Sequence, residues 1–265
     1  MAQRPGALSA YVLHRYDWSE SSLILDMFTR EQGRLAVAAK GAKKPFSQLR
    51  SVLLPFQRIH VSLGRQPTGA EVREVDTLKS AEWGGGHGMP SGAALFSGFY
   101  LNELLMKLLA RHDPHPLLFD AYAATVAVLA GPGDEAVAQA ALRAFELVLL
   151  KEIGLLADLG VETATRKPLA PDRRYLVLAD AGVVETRDEA DASIGGATLV
   201  RLQASLDAAD LPRLQAAAAA SLAELRPLLR AQLHYHLGTS QLRTRQVMIE
   251  AQALDRTPSA ATTVR

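Results

Sequence analysis

The 265-residue chain is 48% hydrophobic with a formal net charge of +1, which excludes a mainly disordered protein and leaves room for one large or two modest domains. With the charges so nearly balanced, polyanion binding has to come from local clusters of cations. Cysteine is absent, so disulfides, thiolate catalysis and cysteine-ligated zinc are excluded. The apolar start at residues 7–13 is too short for a signal peptide or membrane span, and a cytoplasmic protein is expected.

Residues 8–14 and 22–29 are β-compatible runs, the second placing Leu23, Leu25 and Met27 on one face. Gly33 marks a turn, and a third strand to Gly41 puts Leu35, Val37 and Ala39 on one side and Arg34, Ala36, Ala38 and Lys40 on the other. The second face is smooth and basic at both ends, and a solvated strand edge guarded by lysines would look the same. Lys43 and Lys44 follow in the loop, then a short segment at 46–54 closed by Pro55. A fourth strand at 57–63 points Ile59, Val61 and Leu63 one way and Arg58, His60 and Ser62 the other, so the basic face is expected to continue there. A fifth run extends over about 70–78. Five short strands with a helical insert between the third and fourth fit a Greek-key barrel of the oligonucleotide-binding (OB-fold) type, although an open antiparallel sheet would read similarly.

Gly84, Gly85, Gly86 and Gly88 before Pro90 read as a linker, since the run lacks the spacing of a phosphate-cradling loop. Ser91 is a candidate cap for a helix carrying Leu95, Phe99, Leu101, Leu104, Leu105 and Leu108. A second helix covers 117–129, and a third, capped by Asp134, runs to about Ile153. Residues 175–178 and 183–185 flank Asp180, Ala181 and Gly182 as a small hairpin. Helical patterning returns from Thr198, with Asp210 and Pro212 opening one helix and Leu225, Leu228, Leu229 and Leu233 lining another that Pro227 starts or kinks and Gly238 stops. Ser240 is a candidate cap for a last helix to about Leu254. The expected organisation is α+β and multidomain: a five-stranded OB-fold barrel at 1–82, a linker at 83–91, a mainly helical domain at 92–255 with a hairpin insert at about 160–196, and a mobile tail at 256–265.

Two basic clusters stand out. Arg30 to Arg65 carries Arg34, Lys40, Lys43, Lys44, Arg50 and Arg58 with only Glu31 opposing them, and residues 225–249 contain Arg226, Arg230, Arg243 and Arg245 with no acidic residue. Such cations neutralise phosphates and release counterions without reading sequence. At 6% aromatic content, base stacking is limited to candidates such as Tyr11, Tyr16, Trp18 and Phe46, each of which suits core packing as well or better. His112, Asp113 and His115 are a weak metal candidate, because they fall at a helix end beside Pro114 with no third strong ligand nearby. His234 and His236 point to different sides of a helix, and no Gly-x-Ser-x-Gly elbow occurs. No catalytic residue and no cofactor are expected.

Taken together, AYVLHRYDWSESSLILDMFT (10–29), GRLAVAAKGAKKPFSQLRSVLLPF (33–56), LFSGFYLNELLMKLL (95–109), LRAFELVLLKEIG (142–154) and LHYHLGTSQLRTRQV (233–247) resemble the RecO family of bacterial recombination mediators over nearly the whole chain. The resemblance implies an OB-fold followed by a helical domain, binding of single- and double-stranded DNA, annealing of complementary strands and a nucleoid-associated location. With the partner RecR it further implies loading of RecA onto DNA coated by single-strand-binding protein. None of these steps needs a catalytic group. Many relatives carry a four-cysteine zinc site in the stretch matching 160–196, where this chain has Val161, Thr163 and Ala164, so the hairpin is expected to hold by packing alone through Tyr175 and Val177 and to be among the less stable parts. Relatives also take the acidic, aromatic-ended tail of single-strand-binding protein on the helical domain. Lys107 and Arg143 beside Leu104, Leu142 and Leu147 would suit such a slot, although an ordinary amphipathic helix gives the same pattern. A partner-binding scaffold whose basic barrel engages structured RNA is the alternative reading.

Overall fold

Alternation along the first strand divides its side chains between two cores. In β1 (Leu8–Asp17), Ala10 and Val12 turn into the barrel while Tyr11 and Leu13 turn out toward the helices. The same division holds in β2 (Leu23–Thr29), where Leu25 and Met27 face in and Phe28 faces out, and in β3 (Gly33–Ala39), where Leu35, Val37 and Ala39 face in. With the one-turn helix α1 (Leu49–Val52), β4 (Ile59–Leu63) and β5 (Asp76–Trp83), these strands close a barrel in the order β1-β2-β3-β5-β4, and β4 pairs back onto β1. All pairings are antiparallel except β3 with β5. The structure, a computed structural model, describes residues 6–64, 74–187, 192–238, 242–244 and 246–247. The closed barrel is the expected OB-fold architecture, but its last strand begins at Asp76 and runs to Trp83, later than the 70–78 anticipated.

The C-terminal domain is built from α2 (Ala93–Leu108), α3 (Pro116–Ala130), α4 (Glu135–Glu152), α5 (Gly196–Asp207), α6 (Leu211–Ala219) and α7 (Leu222–Leu237). Asp134 caps α4 by accepting from the Ala136 amide, and Asp210 caps α6 by accepting from Arg213. Ser91 does not cap α2, whose N-cap is Gly92, and Pro227 lies inside α7 rather than at its start. Gly238 ends α7 in the left-handed conformation. The anticipated helix from Ser240 lies largely outside the described residues, although the Gln246 amide donates to the Leu242 carbonyl at 3.2 Å.

The hairpin forms as β6 (Arg174–Leu178) and β7 (Gly182–Thr186), joined by the two-residue strand β8 (Ile194–Gly195) on the other side of β6. Tyr175 and Val177 are buried in the helical core, and Gln232 of α7 donates to the Val177 carbonyl. Thr163 stitches the preceding loop to β7, its hydroxyl accepting from the Val183 amide at 2.8 Å and its own amide donating to the Val183 carbonyl at 2.9 Å. A Cβ at Gly182 would collide with the Thr163 side chain.

The outward-facing barrel residues Tyr11, Leu13, Phe28 and Phe56 join the helices in the second of these cores. Tyr11 meets Tyr122 edge-on at 4.9 Å and Phe28 meets Phe119 at 5.4 Å. Beside these rings, Asn102 donates to the Leu13 carbonyl and accepts from the Tyr122 hydroxyl, satisfying polar groups that would otherwise be costly to bury. Burial raises the Tyr122 and Tyr11 phenols above their ordinary pKa, which keeps both neutral in the contact. Gly33 shows how closely the domains approach: its φ is +70°, and a Cβ there would lie 2.0 Å from the Asp113 carbonyl oxygen. Among the described residues, no helix is long and apolar enough to cross a membrane.

Candidate nucleic-acid interface

Between β3 and β4 the chain winds through successive turns that anchor its apolar residues and leave its cations outside. The Lys44 amide donates to Gly41, Ser47 to Lys44 and Arg50 to Ser47, while Ala42 and Leu53 are buried in the barrel. Gly41 takes the left-handed conformation that starts this path, with φ at +72°. The loop is fastened to the β1–β2 turn: the Lys43 amide donates to the Ser21 carbonyl at 3.0 Å, and Lys43 Nζ reaches Asp17 at 3.1 Å. An open recess of about 410 Å³ lies between them, lined by Arg15, Asp17, Lys43 and Arg50 above Leu23, Ala42 and Leu53. Lys40, Lys44 and Arg50 are exposed, and Arg50 belongs to its lining. Of the anticipated cations the recess brings together Lys43 and Arg50, with Lys40 and Lys44 exposed on the same loop, and it adds Arg15, which sequence reasoning missed because β1 was taken to stop at His14.

Two barrel cations belong elsewhere. Arg34 was anticipated on a solvent-facing strand, but it points into the seam with the helices and forms a two-pronged pair with Asp26 at 2.8 and 3.1 Å. The same guanidinium donates to the Met106 and Leu109 carbonyls at the C-terminal end of α2, where a cation is favoured by the unpaired carbonyls and the helix dipole. Ala36 and Ala38, on the same outer face of β3, are buried rather than open. Arg58 was expected to continue that face, but β3 and β4 are not neighbours, because β5 lies between them on one side and β1 and β2 on the other. Arg58 is half-buried with its Nε lacking a hydrogen-bond partner among the described residues, and it lies near enough to Tyr11 to act against the rise in that phenol's pKa.

In the helical domain, Leu104 and Leu147 are fully buried, so neither offers an open apolar slot, and Lys107 pairs with Glu103 at 3.1 Å on the same helix. Leu142 and Arg143 do reach a cavity of about 390 Å³, whose apolar wall is Phe96, Tyr100, Leu142, Leu233 and Leu242 and whose polar edge includes Arg143, Arg226, Arg230 and His234. The geometry therefore combines two groups that the sequence kept apart. Arg143 is held by the fully buried Glu146 at 2.8 Å, and Tyr100 donates to the same carboxylate oxygen at 2.7 Å. Burial raises the Glu146 pKa, against the opposing pull of Arg143 and Tyr100. Leu242 and Thr244 close one side of the cavity because Glu103 accepts from the Arg243 and Thr244 amides and the Thr244 hydroxyl. Arg243 is exposed, and Arg245 lies outside the described residues.

His112, Asp113 and His115, the metal candidate, fall beside the domain seam. His115 sits between Asp113 at 3.3 Å and Glu152 at 3.8 Å, while the His112 amide donates to the Arg34 carbonyl across the domain seam.

Two family models match this architecture in order: Recombination protein O N terminal over residues 7–83 and Recombination protein O C terminal over residues 89–246. The chain belongs to the RecO family. The DNA repair protein RecO of Polaromonas naphthalenivorans is 57% identical over 255 residues, covering 96% of this chain and 99% of the relative. Those of Variovorax paradoxus and Acidovorax ebreus are 53% and 48% identical, each over 96% of this chain and 99% of the relative. The first model spans the barrel and the second the helices, so both the cationic corner and the helical cavity lie within RecO-type sequence.

Proposed function

We propose that the chain is a non-enzymatic recombinational repair protein whose barrel holds the DNA backbone and whose helical domain receives a partner. The observation that carries the first half is the cationic corner: Arg15, Lys43 and Arg50 line an open recess with Asp17 as the acidic group in its lining, and Lys40 and Lys44 are exposed on the loop that supplies Lys43. Phosphate contacts of this kind fix position without reading sequence and leave most bases of both strands free to pair, as annealing requires. The helical cavity supports the second half. An apolar wall with three arginines at its edge suits an acidic peptide ending in an aromatic residue, and its volume falls within the range of ligand sites. The site proposed for the tail of single-strand-binding protein accordingly comprises Leu142, Arg143, Arg226 and Arg230 rather than Leu104, Lys107 and Leu147. Together with RecR, such a protein would promote RecA loading onto coated DNA.

Annealing of complementary oligonucleotides, measured with and without a coating of single-strand-binding protein, tests both halves. The expected result is acceleration in both conditions, with the coated reaction lost when the protein's acidic tail is removed. No acceleration on bare strands would contradict the reading of the barrel.

A further inference from the structure

Three aromatic side chains emerge at the cationic corner, although the sequence favoured core positions for them. Phe46 is 98% exposed, Trp18 56% and Tyr16 44%, whereas Tyr11 is buried. Tyr16 is engaged edge-on with His14 at 4.4 Å. Phe46 and Trp18 pair with no other ring among the described residues and stand in two turns that are tied together. Phe46 follows Pro45 in a turn closed by the Ser47 amide donating to the Lys44 carbonyl at 3.0 Å, and the proline fixes the backbone ahead of it. Trp18 lies in the β1–β2 turn, its amide donating to the Ser22 carbonyl at 3.3 Å, beside the Asp17 that holds Lys43.

Resting on the DNA reading above, we propose that Phe46 and Trp18 are base-stacking residues that make this corner select unpaired over paired strands. Large aromatic rings held out on short, hydrogen-bonded turns lose little freedom when a planar ligand covers them. Cations flank Phe46 along the chain, Lys43 and Lys44 preceding it by two or three residues and Arg50 following it by four, while Trp18 stands between Asp17 and Glu20 with Arg15 three residues before it. That setting suits a ligand with flat apolar faces on an anionic thread, which describes a single nucleic-acid strand. In a duplex the base faces are stacked on one another and only the phosphates remain for the corner. The lysine–Asp17 pair also gains a role, since a phosphate entering the recess competes with Asp17 for Lys43 and leaves an exposed carboxylate free to take up water.

Three probes separate the contributions: a labelled oligothymidylate of about fifteen nucleotides, within the site sizes known for OB-folds, an abasic deoxyribose-phosphate strand of equal length, and a duplex of equal length. Phe46→Ala and Trp18→Ala are each expected to weaken oligothymidylate binding about tenfold and to leave abasic-strand and duplex binding unchanged. Phe46→Tyr keeps a ring and should retain most of the affinity. In a Trp83→Phe background, Trp18 emission should be quenched by oligothymidylate and not by the abasic strand. Alanine variants that bind oligothymidylate like the parent would overturn the stacking proposal. A Lys43→Ala, Lys44→Ala variant in the same titrations shows what else falls: weakened binding leaves the backbone reading intact, and unchanged binding removes both. If the rings instead serve a protein partner, all three nucleic-acid probes bind the ring variants as they bind the parent, and the proposal fails.

Discussion

Replacing Arg34 by alanine distinguishes a seam residue from a phosphate contact. Its guanidinium is 15% exposed and the Asp26 carboxylate 4%, so removing the cation strands a buried charge. Breaking such a pair costs about 3–5 kcal/mol, and loss of the cation at the end of α2 adds about 0.3–1 kcal/mol. At about 2–4 °C per kcal/mol for a protein of this size class, calorimetry should show the melting temperature falling by roughly 10 °C. Changing Asp26→Asn in the same chain should recover part of the loss, because the unpaired charge is then gone. DNA affinity measured well below the melting range should stay within about twofold of the parent, less than the 1.4 kcal/mol that a tenfold change represents. An Arg34→Ala protein that melts like the parent but loses DNA affinity would refute this placement and restore Arg34 to the phosphate-binding set.

The helical cavity predicts that Arg226→Glu or Arg230→Glu lowers the affinity of an acidic, aromatic-ended peptide at least tenfold, measured by calorimetric titration. Glu103 governs one wall of that cavity. Burial acts to raise its pKa, but hydrogen bonds from Thr244, Arg243 and Lys107 together hold it below the ordinary value. A depressed carboxylate contributes stability that is fully present above its unfolded pKa and lost as pH falls through the native one, so the protection of the Arg243 and Thr244 amides against hydrogen exchange, relative to the intrinsic rate at each pH, should fall on acidification below the usual carboxylate range. Glu103→Gln should show fast exchange already at neutral pH. Gly33→Ala should destabilise the protein by more than about 1 kcal/mol in chemical denaturation, since it combines a positive φ with a collision against Asp113 backbone.

Where the sequence was legible, one physical rule governed the element. Period-two alternation identified Leu35, Val37 and Ala39 as the inward face of β3, and Asp134 and Asp210 announced helices they do cap. The barrel was readable because its strands are short, regularly spaced and bounded by glycine and proline. Alternation says which residues share a face, not what covers the face, so Arg34 read as solvent-exposed when the Met106–Leu109 end of α2 is waiting for it more than seventy positions later. Strand order misled in the same way, since placing Arg58 beside Arg34 assumed that consecutive strands pair. The fit of Arg226 and Arg230 to Leu142 and Arg143 depends on how α7 packs near α4, which no local pattern encodes. Phe46 and Trp18 read as core candidates because large aromatic residues usually are, and only their turns show otherwise.

The most direct test of the cationic corner is the salt dependence of single-strand binding. Five phosphate contacts, one each for Arg15, Lys40, Lys43, Lys44 and Arg50, give a slope of log affinity on log salt near −3.5, taking about −0.7 per contact. The Lys43→Ala, Lys44→Ala protein should bind more weakly, with its slope reduced to about −2.1. A double variant that keeps both the parent's affinity and the parent's slope would show that the backbone of the strand lies elsewhere on the molecule.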